Sequence, residues 1–61
     1  MREKLYVARL LKRLTLEEMG EMVGISYATY RRIEQGGDVW LSVAKKICEV
    51  LGEDFADIFL T

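Results

Sequence analysis

Two consecutive arginines, Arg31 and Arg32, are the side chains in this 61-residue chain best equipped for specific chemistry on another molecule. A guanidinium is a planar fork of donors, able to give two parallel hydrogen bonds to guanine O6 and N7 or to phosphate oxygens. They sit at helical spacing from Tyr27 and Ala28. With Tyr30 and Ile33 turned toward a core, Tyr27, Ala28, Arg31 and Arg32 share the outward face of one helix. Material for bond-making chemistry is lacking. There is no His, there is one Cys, and no nucleophile stands beside a base. Glu17, Glu18 and Glu21 cluster at the start of a helix, where capping and the helix dipole already account for them. Too few ligands exist for zinc. The expectation is a protein that is not an enzyme and needs no metal or cofactor.

The elements that must hold the arginines are written between Leu14 and Glu34. Thr15 with Glu18 forms a capping box, opening a helix over residues 16–23. Met19, Met22 and Val23 recur on one face of it. Gly24 stops the helix, because glycine accepts the left-handed conformation of a helix end. Ile25 is a short apolar anchor in the turn, and Ser26 caps a second helix over 27–35. Gly20 is small where the two backbones meet. A helix, a short turn with glycine and a second helix define a helix-turn-helix, in which the second helix offers side chains to the major groove of DNA.

In these residues the segment resembles the helix-turn-helix of the Cro/repressor (XRE-type) family of bacterial and phage transcription regulators. The matching pattern is Leu14, Thr15, Glu17, Glu18, Met19, Gly20, Gly24, Ile25, Ser26, Arg32, Ile33, Glu34 and Gly36, and a weaker likeness runs over the whole chain. The resemblance implies an all-α, five-helix, lambda-repressor-like domain spanning residues 1–61. It places Tyr27, Ala28, Arg31 and Arg32 at base-reading positions: Arg31 as the main reader, Arg32 shared between base and phosphate, and Ala28 against a thymine methyl. Tyr27 would touch a thymine methyl with its ring or donate its hydroxyl to phosphate. Phosphate contacts are expected from Ser26 and Thr29, from amides near Gly36 and Gly37, and from Lys12 or Arg13. It also implies an ion pair between Arg9 and Glu34, and a homodimer joined through Phe55, Ile58, Phe59 and Leu60. Three departures stand out. Leu16 replaces a glutamine that contacts phosphate, Arg13 replaces a helix-ending glycine, and the loop after the second helix is about one residue short.

The remaining helices are expected over Glu3–Lys12, with Leu5, Ala8 and at least one of Leu10 and Leu11 inward, over Val39–Leu51 capped by Asp38, and over Phe55–Phe59 capped by Asp54. Trp40 is expected in the core or beside a phosphate. Cys48 reads as a small core residue, and a single thiol suits a reducing cytoplasm. Tyr6, Leu10 or Leu11, Trp40 and Leu60 remain as candidates for exposure. No stretch approaches the roughly 18 continuous apolar residues of a membrane span. Net charge is −1, but unevenly spread. Residues 1–32 carry seven basic and four acidic side chains, a balance of +3, and residues 33–61 carry two basic and six acidic, a balance of −4. A basic side facing phosphates and an acidic side facing away fit duplex DNA as the partner. The rival expectation is a protein-interaction module on the same fold, such as an antirepressor, favoured by net acidity, Leu16 and the surplus apolar side chains. A short complete regulator and the DNA-binding domain of a longer one would look alike.

Overall fold

In the computed structural model, which describes residues 1–60, the chain forms five helices in this order: α1 (Glu3–Leu11), α2 (Leu16–Val23), α3 (Tyr27–Glu34), α4 (Leu41–Leu51) and α5 (Phe55–Phe59). Local signals set most of the ends. Thr15 Oγ1 accepts from the Glu18 amide at 3.0 Å while the Glu18 carboxylate accepts from the Thr15 amide at 2.9 Å, so both halves of the capping box exist. Gly24 closes α2 at φ +88°, where any L side chain is strained. Ser26 Oγ accepts from the Thr29 amide at 3.2 Å and so caps α3.

Packing is set by one apolar stripe per helix. Leu5, Met19, Tyr30, Ile47 and Leu51 are fully buried, joined by Ile33, Cys48 and Ile58. Each such apolar side chain contributes ~1.5–3 kcal/mol on leaving water. In α2 the inward stripe is Leu16, Met19, Gly20 and Val23, a spacing of three and four. Met22 falls off that stripe and is half-exposed, against expectation. Gly20 lets the turn lie against α2: a Cβ there would stand 2.9 Å from the Ile25 carbonyl oxygen.

Four further expectations are corrected. Leu10 and Leu11 both face solvent, because the inward stripe of α1 is Leu5, Ala8 and Arg9. Turning Arg9 inward forces its two successors outward. The fourth helix begins at Leu41, not Val39: Val39 packs against the core from an extended segment, and Trp40 rather than Asp38 holds the N-cap position. Trp40 is therefore not a core residue; it is 81% exposed. Asp54 does precede α5, but its side chain makes no capping bond.

Where the usual glycine is replaced, α1 still ends in a regular way. The Arg13 amide donates to the Leu10 carbonyl at 2.9 Å and the Leu14 amide to the Arg9 carbonyl at 3.3 Å, the paired bonds of a Schellman ending. Arg13 itself takes the left-handed position, at φ +56°. A side chain there costs about 1–2 kcal/mol.

Candidate nucleic-acid interface

Helix α3 presents a clean division of faces. Tyr30 and Ile33 are buried beneath it, and Tyr27, Ala28, Arg31 and Arg32 are exposed together on its outer side. Neither Arg31 nor Arg32 has a side-chain hydrogen bond or ion pair among the described residues, so both guanidinium forks are open to a ligand. Just ahead of them, Ser26 Oγ also donates to Thr29 Oγ1 at 2.8 Å. The Thr29 hydroxyl proton is thereby directed elsewhere and remains available to an acceptor.

The far end of α3 is pinned by two arginines. Arg9 Nε donates to Glu34 Oε2 at 2.8 Å, Nη2 to Glu34 Oε1 at 2.9 Å, and Nη1 to the Leu14 carbonyl at 2.8 Å. Both charged residues are buried, and the guanidinium also lies 5.5 Å from the centre of the Tyr6 ring. The hydrogen bond and charge of Glu34 hold the Arg9 guanidinium still more firmly protonated than usual. Arg2 is the second anchor, and sequence reasoning missed it. Its Nη1 donates to the carbonyls of Ile33 and Gly37 at 2.5 and 2.6 Å, its amide donates to the Glu34 carbonyl at 2.8 Å, and its guanidinium lies 5.3 Å from the Phe59 ring centre. No local signal could have revealed contacts that cross more than thirty residues of chain. The Gln35 amide takes the Arg31 carbonyl and the Gly37 amide takes that of Arg32. All four final carbonyls of α3 thus have donors, which a helix end shielded from water requires. A cation at this end also complements the helix dipole.

These bonds occupy the Gly36 and Gly37 amides expected to contact phosphate. The Gly36 amide already donates to Ile33 at 3.1 Å and the Gly37 amide to Arg32 at 2.9 Å, so neither is free for an anion. The turn is tight enough that a Cβ on Gly37 would stand 2.9 Å from the Arg32 carbonyl oxygen. Free amides begin one residue later. Among the described residues, the amides from Asp38 to Val43 have no acceptor, and α4 has no side-chain cap. Exposed Trp40 lies in the middle of this run. Lys12 and Arg13 are exposed at the end of α1. Leu16 packs against the core instead of reaching outward.

The expected dimer residues are largely spent inside the monomer. Ile58 is only 5% exposed, and Phe55 and Phe59 are half-buried against the core with their rings 5.5 Å apart. A five-residue helix can cover the core only by turning these side chains inward, so Leu60 alone of the four is freely exposed. Burial pushes the Cys48 thiol up, with Asp54 and Glu53 adding to the effect, which keeps it a poor nucleophile. Tyr30 is the one buried side chain whose polar atom lacks a partner among the described residues. Burial first, then the Glu34 carboxylate, holds its hydroxyl protonated far above the ordinary tyrosine range.

A family model described as helix-turn-helix matches residues 5–58, nearly the whole chain. The chain belongs to the Cro/repressor (XRE-type) helix-turn-helix family, a class of DNA-binding transcription regulators. Searches of curated proteins and of solved structures return no match. No helix among the described residues is long and apolar enough to cross a membrane.

Proposed function

We propose that this protein reads a two-fold-symmetric operator in duplex DNA as a homodimer, with α3 in the major groove, and represses transcription by occupying that site. The observation that carries it is the open pair Arg31 and Arg32 on the outer face of a helix whose other side and far end are both fixed. Fixing a reader helix before binding removes an ordering cost from association. Arg31 donates bidentately to guanine, Ala28 and Tyr27 meet neighbouring base edges, and Arg32 spans base and phosphate. Ser26, Thr29 and the free amides following Gly37 hold phosphates and set the register without reading sequence. Net acidity is no obstacle, since the acidic surplus lies in residues 33–61 and the reader lies in the basic part.

Selection from a pool of random duplexes at low salt tests this, with Arg31→Ala beside the wild type. Wild type should enrich a palindromic sequence, and the variant should keep weak binding while losing preference at one position per half-site. An enriched sequence that Arg31→Ala reads equally well removes α3 as the reader. No enrichment by either protein removes operator recognition.

A further inference from the structure

Besides Trp40, Leu41 and Leu60, the fold leaves a run of apolar side chains exposed on one element, α1. Val7 and Leu10 are about half-exposed, at 49% and 46%, and Leu11 is 77% exposed. Between α1 and α5 runs an open groove whose apolar lining is Val7, Ala8, Leu11 and Ile58. Its rim carries the carboxylates of Glu3 and Glu53 beside Lys4, together with Asp57, which is held in an interaction of its own within the chain. The helix that supplies one wall ends in the opposite chemistry. Directly after Leu10 and Leu11 come Lys12 and Arg13, both exposed, a balance of +2.

We infer that this groove is the homodimer interface, and that its occupant is the Leu10–Arg13 tip of α1 from a second copy. The chain carries both halves of the match on one face: an acid-rimmed apolar groove and an apolar tip closed by two cations. In a two-fold arrangement each tip enters the other copy's groove, and Leu11, common to both, lies near the axis. Charge complementarity selects a second copy with its basic tip in the groove and disfavours groove-to-groove stacking, which would oppose two acidic rims. Lys12 and Arg13 then serve the partner copy rather than phosphate. Nothing in α2 or α3 is used, so both reader helices stay open. The inference rests on the dimer half of the proposed function and is independent of the DNA half.

Sedimentation equilibrium over a wide concentration range, without DNA, tests it with matched charge reversals. Leu11→Asp, at an exposed position, should raise the dimer dissociation constant by at least about tenfold while circular dichroism stays unchanged. Glu3→Lys/Glu53→Lys should weaken self-association, and so should Lys12→Glu/Arg13→Glu. Mixed one to one, these two variants should associate about as well as wild type, because each groove then faces a tip of opposite sign. A mixture no better than either variant alone overturns the inference. So does a dimer that Leu60→Asp breaks and Leu11→Asp leaves intact, which would return the interface to the chain end. A wild type that stays monomeric at every concentration overturns it as well, and removes the homodimer from the proposed function without touching DNA recognition by single domains.

Discussion

Breaking the Arg9–Glu34 pair should remove a third or more of the protein's stability, whereas replacing both partners should not. Two bonds of 2.8 and 2.9 Å join the charges, which are 7% and 4% exposed as residues. Glu34→Ala leaves a buried guanidinium with only the Leu14 carbonyl, and Arg9→Ala leaves a buried carboxylate beside the Tyr30 hydroxyl. Stranding one buried charge costs about 3–5 kcal/mol. A chain of 61 residues has a total stability of about 3–9 kcal/mol. Either single variant therefore loses a third or more of its stability and, at the lower end of that range, all of it. The double variant Arg9→Met/Glu34→Leu keeps the volume and strands no charge, leaving only the part-buried Leu14 carbonyl without its donor, so it should return to within a few kcal/mol of wild type. Urea unfolding followed by circular dichroism measures all four proteins, with the denaturant slope checked for constancy. Single variants that lose less than about 1 kcal/mol would refute the reasoning, since that is the scale of a solvent-screened surface pair. A double variant as unstable as the singles would refute it too, by showing that α3 needs the ion pair itself and not merely a filled space.

Further outcomes follow from neighbouring residues. Tyr30→Phe keeps the ring and removes a hydroxyl that makes no well-formed hydrogen bond but faces the Glu34 carboxylate, so stability should change by no more than about 1 kcal/mol in the same urea assay; a larger loss would mean that the hydroxyl donates to Glu34. Because the folded state holds the Tyr30 proton above the ordinary value of about 10, the contribution is intact below that pH and lost as pH climbs beyond it. Alkaline titration should show a tyrosinate component that rises only as the helical signal is lost, and Tyr30→Phe should abolish it. Arg13→Gly relieves a left-handed side chain and should stabilise by about 0.5–1 kcal/mol after glycine's entropy cost; no gain in melting temperature would show that the Arg13 side chain contributes contacts of its own. Arg2→Ala should cost about 1.5–3 kcal/mol and speed hydrogen exchange at Gly36 and Gly37 more than at core amides, with Arg2→Lys restoring part of the protection. Uniform exchange across the chain would deny Arg2 its role at the end of α3.

What could be foreseen and what could not divide along the range of the interactions. The capping box at Thr15 and Glu18, the cap at Ser26 and the stop at Gly24 act within three or four residues, and the sequence displays each directly. The helices they bound lie within a residue of expectation. Helix α4 starts late because Val39 is held by the distant core, a fact absent from its local pattern. Leu10 and Leu11 were misread for a related reason. A buried arginine occupies the inward stripe of α1, and hydrophobic periodicity counts only apolar residues. The outward set on α3 was legible because Tyr30 and Ile33 mark the buried side unambiguously. The anchor at Arg2 and the consumed amides of Gly36 and Gly37 were not, since both depend on the closed tertiary structure.

The most direct measurement is the salt dependence of affinity for a duplex of the selected sequence. Phosphate neutralisation releases counterions, and affinity falls by a log–log slope of about −0.9 per contact. With Arg31 and Arg32 of two copies as the cations brought against the duplex, two to four neutralised phosphates give a slope of about −2 to −4, and Arg31→Ala should lower affinity for that sequence far more than for an unrelated one. A slope near zero, or no DNA retained even at low salt, would contradict DNA recognition by α3 and leave the helix-turn-helix as a scaffold for protein contacts.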